Sequence, residues 1–277
     1  MQTNSTTNIS EIARTSGSNL AFALLGLPPE RKRDMRVFYA FCREVDDIAD
    51  SLELGREEKL KALDRWEAGL RHGFTDPRPL ETGIAEVRER YAIRNDLLLE
   101  IVEGVRMDAD FQPFATFKEL KAYCHHVACA VGLVSIEIFG YRNPDCRRYA
   151  VDLGYALQLT NILRDVGEDV RELNRIYLPA EDMERFGVTP DSLRRSRRDD
   201  AFLSLMEFEA QRADECFAAA AAHLPREDRR SMRSARLMGA IYRQILMKMR
   251  RDGFRVFQKR YRLSKPAMLW ALARSFF

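Results

Sequence analysis

The sequence predicts an all-α protein built as one large helical bundle. Three observations carry this. Apolar residues recur every three or four positions over most of the chain, the period of one helix face. No alternating apolar–polar run is long enough to read as a strand. The 277 residues include only 14 Gly and 10 Pro, with 46% apolar and 31% charged residues, a helix-rich composition that can fill a sizeable core.

Residues 1–9, "MQTNSTTNI", are polar and read as a flexible N-terminus, leaving 10–277 as a single all-α domain. A first helix runs to about Leu25. "GLPPERKRDM" follows, where Pro28 and Pro29 stop one helix and begin the next. "RVFYAFCREVDDIADSL" (36–52) sets Val37, Phe38, Phe41, Val45 and Ile48 on one side. "REEKLKALDRWEAGLRHG" (56–73) is amphipathic and ends at Gly73, and "DPRPL" is a loop. Helical patterns cover about 80–92, 95–109, 116–140 and 144–172. "YLPAEDMERFGVTPDSLRRS" is a broken connector, and helices resume at about 199–223, 227–251 and 264–275. There is no 20–50-residue repeat and no low-complexity linker.

The net charge of +3 is unevenly spread: residues 221–277 hold 15 Lys and Arg against 3 Asp and Glu. Such a basic end suits nucleic acid, anionic lipid or a phosphorylated ligand, or is a solvated face. Five cysteines, an odd number with no C-x-x-C, argue against a disulfide framework and for a reducing compartment. Cys124 and Cys129 read as small buried hydrophobes. "LAFALLGL" (20–27) lacks a basic flank and a cleavage site, and no apolar run is long enough to span a bilayer. A soluble or peripheral protein is expected.

One helix carries acids where an apolar pattern should run unbroken. In "YALQLTNILRDVGEDV", Asn161, Asp165 and Asp169 are four apart and share a face, with Gln158 a turn before. About 120 residues earlier, "YAFCREVDDIAD" repeats the arrangement with Asp46 and Asp50, preceded by Arg43 and Tyr39, and with Asp47 beside the pair. One such pair is common on a solvated helix face. Two on core-like helices are different, because uncompensated buried carboxylates cost several kcal/mol each. A hard cation neutralises them, and carboxylate oxygens suit Mg²⁺, which commonly bridges protein acids to phosphates. Arg43, Arg164 and Arg175 flank the pairs with planar donors for phosphate oxygens. The residues point to a Mg²⁺–diphosphate site facing into a bundle.

These stretches resemble the squalene/phytoene synthase family, the head-to-head trans-prenyltransferases. "FYAFCREVDDIAD" and "YALQLTNILRDVGEDVRELNRIYLP" look like its two aspartate-rich motifs. "YCHHVACAVGLVSIEIFG" resembles its tyrosine-containing central helix, and "SGSNLAFALLGLPPERKR" its N-terminal helix and turn. The resemblance spans about residues 14–276. It implies a bundle of the isoprenoid synthase type with a central cavity. There Asp46, Asp50, Asp165 and Asp169, with Asn161, would hold a Mg²⁺ cluster, Mn²⁺ being a substitute. Arg43, Gln158, Asn161, Arg164 and Arg175 would bind diphosphate, joined by Arg255 and Lys259 of the basic C-terminal segment and by Ser16 and Ser18. Tyr39, Tyr123, Tyr177 and Tyr242 would stand near the reacting carbons.

"FCREVDDIAD", the short length and the ending "GFRVFQKRYRLSKPAMLWAL" look most like bacterial hopanoid-associated presqualene diphosphate synthases. The resemblance therefore implies condensation of two farnesyl diphosphates to presqualene diphosphate. "LQLTNILRDVGED" is shared with phytoene synthases, so geranylgeranyl diphosphate stays open, as does a full two-step squalene or dehydrosqualene synthase. No separate nucleotide-binding region is visible, and NADPH is not expected. Non-catalytic relatives that only bind a prenyl diphosphate or assist assembly typically lose the paired aspartates; all four are present here. The implied partners are prenyl diphosphates and downstream isoprenoid enzymes, with no nucleic acid. The ending "RVFQKRYRLSKPAMLWALARSFF" mixes basic and large apolar residues, which reads either as a last helix closing the bundle or as a peripheral membrane contact. The expected location is the cytoplasm, free or peripheral at the inner face of the cytoplasmic membrane. Asn19-Leu20 departs from a usual Ser-aromatic step, and Arg36 stands where relatives often carry an apolar or aromatic residue. His125 and His126 point in different directions on a helix and read as structural.

Overall fold

The computed structural model describes Leu24 and residues 27–263. Ser16, Ser18, Asn19, the expected first helix and the expected helix at 264–275 lie outside the described residues.

Helix α1 (Pro29–Asp50) starts with proline in its first turn, seven residues before the apolar pattern at 36, because proline at that position sacrifices no hydrogen bond. It buries Phe38, Phe41, Val45 and Ala49 and leaves Arg36 exposed. Helix α2 (Arg56–His72) buries Leu63, Trp66 and Leu70, and ends at Gly73, whose φ of 91° favours glycine. Trp66 meets Phe41 edge-on at 5.0 Å between ring centroids, which ties α2 to α1. Each large apolar side chain buried this way contributes about 1.5–3 kcal/mol.

Helices α3 (Pro79–Arg90) and α4 (Asn95–Ala109) follow. The buried stripe of α4 runs Leu97, Leu98, Ile101, Val105 and then, against the pattern, Asp108. Thr116 caps α5 (Phe117–Phe139) by accepting the Glu119 N–H at 3.3 Å. A π-helical segment at His125–Cys129 interrupts α5. By length and composition α5 could cross a bilayer, which corrects the expectation that no apolar run is long enough; half of it is buried inside the bundle.

Helix α6 (Cys146–Glu168) continues into a π-helical turn at Asp169–Leu173 and stops at Asn174, whose φ is 51°. It is the central helix, packed against α5 and against the two long helices of the C-terminal part, Asp200–His223 and Arg233–Arg251. Gly154 permits the α5 approach: a Cβ there would lie 2.8 Å from the Cys129 Cα. The connector holds two short helices, α7 (Ala180–Phe186) and α8 (Pro190–Arg194). Helix α9 (Asp200–His223) and helix α10 (Arg233–Arg251) complete the described bundle. The apolar pattern from 227 becomes a short 3₁₀ turn at Arg226–Asp228 before α10 starts. No strand occurs among the described residues, as an all-α chain requires.

Candidate active site

A cavity of about 800 Å³ runs along α6, whose cavity-facing residues extend from Tyr149 through Leu153, Leu157 and Asn161 to Asp165 and Asp169. Successive positions are one turn apart, so neighbours adjoin, and the lining winds gradually around α6 because each four-residue step overshoots a turn by about 40°. Helix α1 faces it with Phe38, Tyr39, Cys42, Arg43, Asp46 and Asp50. The cavity is polar at one end and apolar elsewhere, where Met35, Ile101, Val127, Val131 and Ile136 line it.

The two acidic motifs meet at the polar end. Arg175, just beyond the π turn, donates from Nη1 to Asp50 Oδ1 at 2.7 Å and from Nη2 to the Ala49 carbonyl at 3.0 Å. That bridge joins positions 125 residues apart. Arg43 donates to Asp46 at 2.9 Å and also to Asp47. Arg164 holds Asp165 in a two-pronged contact, Nε to Oδ1 at 2.9 Å and Nη2 to Oδ2 at 2.5 Å. Among the described residues, Asp169 alone of the four aspartates has no ion pair.

Crowded carboxylates resist ionisation. Burial, then the charge of Asp50, raises Asp46 to about 7. Burial, then Asp165 and Glu168, raises Asp169 to about 8. Nearly half of the Asp46 side chain is accessible, but that surface opens onto the cavity, whose protein walls solvate charge less well than bulk water does. Asn161 adds a buried side-chain oxygen with no hydrogen-bond partner, while its amide nitrogen lies 3.4 Å from Gln158 Oε1. An orphan amide oxygen between two banks of repelling carboxylates is a donor set that fits a hard cation. Among the described residues no three acidic, histidine or cysteine side chains converge on one ion-sized position. The acids form two banks across the cavity.

Two residues of the site escaped the sequence reading. Asp108 is buried at the cavity wall and accepts from Tyr123 at 2.8 Å and from Tyr177 at 2.7 Å. Burial raises it to about 6, although both tyrosines and Arg175 oppose the shift. The two tyrosine rings stack at 5.4 Å, and burial and Asp108 push both phenols up, so they remain protonated donors. The available signal was an acid in register with the apolar stripe of α4. Arg260 is the second: it donates to Glu168 at 2.9 Å and to Asp165 at 3.2 Å. Its loop lies against α6 because Gly167 has no side chain; a Cβ there would be 2.4 Å from the Val256 carbonyl oxygen.

Tyr39 and Tyr242 both line the cavity, and the Arg164 guanidinium lies 5.9 Å from the centre of the Tyr242 ring. Arg255 and Lys259 do not reach it. They turn to Asp252, at 3.9 Å and 2.6 Å, in the turn after α10 where Gly253 and Phe254 have positive φ. The rings of His125 and His126 are 6.2 Å apart and nearly perpendicular, and His125 faces Glu100 at 3.5 Å, so the histidines share no site.

A helical bundle around an apolar cavity with acids and arginines at one end defines the class: an all-α isoprenoid synthase fold. Among solved structures, a dehydrosqualene synthase bound to a ligand superposes with a TM-score of 0.86 at 27% identity, covering 98% of this chain and 95% of that one. A squalene synthase from Alicyclobacillus acidocaldarius superposes at 0.80 and 27% identity, over 90% of this chain and 94% of the other. A presqualene diphosphate synthase of Zymomonas mobilis is 34% identical over 270 residues, 95% of this chain and 91% of that protein. A phytoene synthase of Mycobacterium tuberculosis is also 34% identical, over 267 residues, 95% of this chain and 88% of its own. The squalene/phytoene synthase profile matches residues 13–267. The chain belongs to the squalene/phytoene synthase family and is a prenyltransferase, and the family supports head-to-head condensation of prenyl diphosphates.

Proposed function

We propose that this chain condenses two farnesyl diphosphates to presqualene diphosphate, with Mg²⁺ held by Asp46, Asp50, Asp165, Asp169 and Asn161. The observation that carries the reading is one cavity with both acidic motifs at its polar end, drawn together by the Arg175–Asp50 contact, and apolar walls beyond. In the overall reaction one carbon–oxygen bond breaks and diphosphate leaves. The freed allylic carbon bonds to the alkene of the second substrate, and one proton is lost as the cyclopropane closes.

Bound Mg²⁺ would draw charge from the leaving diphosphate and lower the barrier to ionisation. The arginines supply the rest of the counter-charge. Arg43, Arg164, Arg175 and Arg260 each already hold a planar carboxylate, and a diphosphate presents oxygens of the same spacing. The apolar walls exclude water that would quench an allylic cation. The faces of Tyr39, Tyr123, Tyr177 and Tyr242 can stabilise that cation by about 0.5–2 kcal/mol. The same geometry would serve geranylgeranyl diphosphate. Equal identity to a phytoene synthase favours keeping phytoene formation as the second reading.

The test is product identity. Purified protein with Mg²⁺ and either farnesyl or geranylgeranyl diphosphate is analysed by mass spectrometry. Presqualene diphosphate from the C15 substrate supports the reading. A C30 hydrocarbon extends it to a two-step synthase, and turnover of the C20 substrate alone refutes it. No Mg²⁺-dependent turnover of either substrate would favour a binding or assembly role.

A further inference from the structure

On α6 the cavity lining ends at Tyr149. This ring lies at the first turn of α6, at the opposite end of the cavity-facing stripe from the aspartates. Sixteen residues separate it from Asp165, about 24 Å along a helix, and nine separate it from Gln158, about 14 Å. If a diphosphate sits between Asn161 and the acids, the first prenyl carbon lies near the Gln158–Asn161 level. About 14–18 Å of apolar wall then remain before Tyr149. Four carbon–carbon bonds per isoprene unit advance about 5 Å, so three units need about 15 Å and four need about 20 Å. Farnesyl fits this length and geranylgeranyl overruns it.

Beyond Tyr149 the described residues leave a second groove, of about 1230 Å³, between α9 and α10. Phe217, Ala220 and Leu224 line it on one side, and Arg236, Arg243 and Lys248 of α10 on the other. Tyr149 and Leu153 line both spaces. The two side chains are therefore the partition between them. Tyr149 is 4% exposed, and its hydroxyl is buried without a hydrogen-bond partner among the described residues. A buried hydroxyl with no partner costs stability and does not contribute it, so the ring is the part of this side chain that acts, as a wall.

We propose that Tyr149, backed by Leu153, sets the prenyl chain length, stopping a fourth isoprene unit at the partition between the two cavities. This rests on the condensation reading above. Removing the ring would join cavity and groove and give the fourth unit room against Leu153, Phe217 and Ala220.

The experiment compares wild type, Tyr149→Ala, Tyr149→Phe and Leu153→Ala on farnesyl and geranylgeranyl diphosphate, reading kcat/KM for each. Tyr149→Ala should raise the C20-to-C15 ratio by at least about 10-fold, the discrimination expected of a filled apolar pocket. Tyr149→Phe keeps the ring and should keep the wild-type ratio. Should Tyr149→Ala fail to fold, Leu153→Ala thins the same partition and should move the ratio the same way. An unchanged ratio in a folded, active Tyr149→Ala or Leu153→Ala protein overturns the gate and leaves the condensation reading intact. Wild type that takes both substrates equally well also overturns it. If wild type turns over neither substrate, the condensation reading fails. The gate is then read by calorimetry with farnesyl and geranylgeranyl thiodiphosphates, where an affinity ratio unaltered by Tyr149→Ala refutes it.

Discussion

Asp169→Asn should stabilise the fold in the absence of divalent cations while abolishing turnover. A carboxyl raised from 3.8 to about 8 is one whose ionisation in the native state costs roughly 6 kcal/mol more than in water. Water in the cavity screens part of that cost, and roughly 1–3 kcal/mol is the gain expected at pH 8 from deleting the charge. The sign follows from proton binding. Between pH 4 and pH 8 the native protein holds a proton here that the unfolded chain has released, so wild-type stability falls as pH rises through that window. Asparagine has no such dependence. Urea or thermal denaturation in EDTA at pH 5 and pH 8 measures this. The variant should lead by several degrees at pH 8, with the lead shrinking at pH 5. Addition of Mg²⁺ should raise the midpoint of wild type more than that of the variant. A variant less stable than wild type at pH 8, or a difference that ignores pH, would refute the reasoning that repulsion dominates at this site. Asp46→Asn should behave alike with a smaller gain, since nearly half of the Asp46 side chain is accessible.

Three further outcomes follow from the contacts. Arg260→Ala should leave stability within about 0.5 kcal/mol, as for an exposed ion pair, but should raise KM about 10-fold by removing a charge-assisted phosphate donor, measured by steady-state kinetics. Gly167→Ala should act on the same arginine from a distance. The new Cβ displaces the Val256–Phe257 backbone, costing about 1–3 kcal/mol in denaturation and raising KM as the Arg260 loop lifts. Tyr177→Phe deprives the buried Asp108 carboxylate of one of its two phenol donors; a loss of about 1–3 kcal/mol in urea denaturation is expected, larger at pH 8 than at pH 5, because ionised Asp108 needs the donor most.

How legible this site was depended on whether its residues announce themselves by local period. Asp46 with Asp50, and Asp165 with Asp169, are readable because a four-residue spacing fixes a shared helix face whatever the tertiary structure. The helices at Asn95–Ala109, Phe117–Phe139 and Asp200–His223 were readable for the same reason. Asp108 is a single acid whose meaning comes from two tyrosines supplied by other segments, and only packing brings those together. Arg260 was hidden for another reason. It is one of several cations in a basic segment between two helical patterns, where no period singles out a residue, and the turn at Gly253 and Phe254 decides that Arg260 reaches Asp165 while Arg255 and Lys259 face Asp252. The π-helical turn at Asp169–Leu173 left no periodic trace either, though it precedes the Arg175 that bridges the two motifs.

The central claim is that both acidic banks hold divalent cations over one diphosphate site. The direct test is a crystal of the protein with Mn²⁺ and farnesyl thiodiphosphate, read by anomalous scattering. The account predicts Mn²⁺ peaks within about 2.0–2.3 Å of carboxylate oxygens from both α1 and α6, with Asn161 Oδ1 among the ligands and the thiodiphosphate bridging the ions. Peaks confined to one helix, or a thiodiphosphate bound by arginines with no metal between the banks, would contradict it.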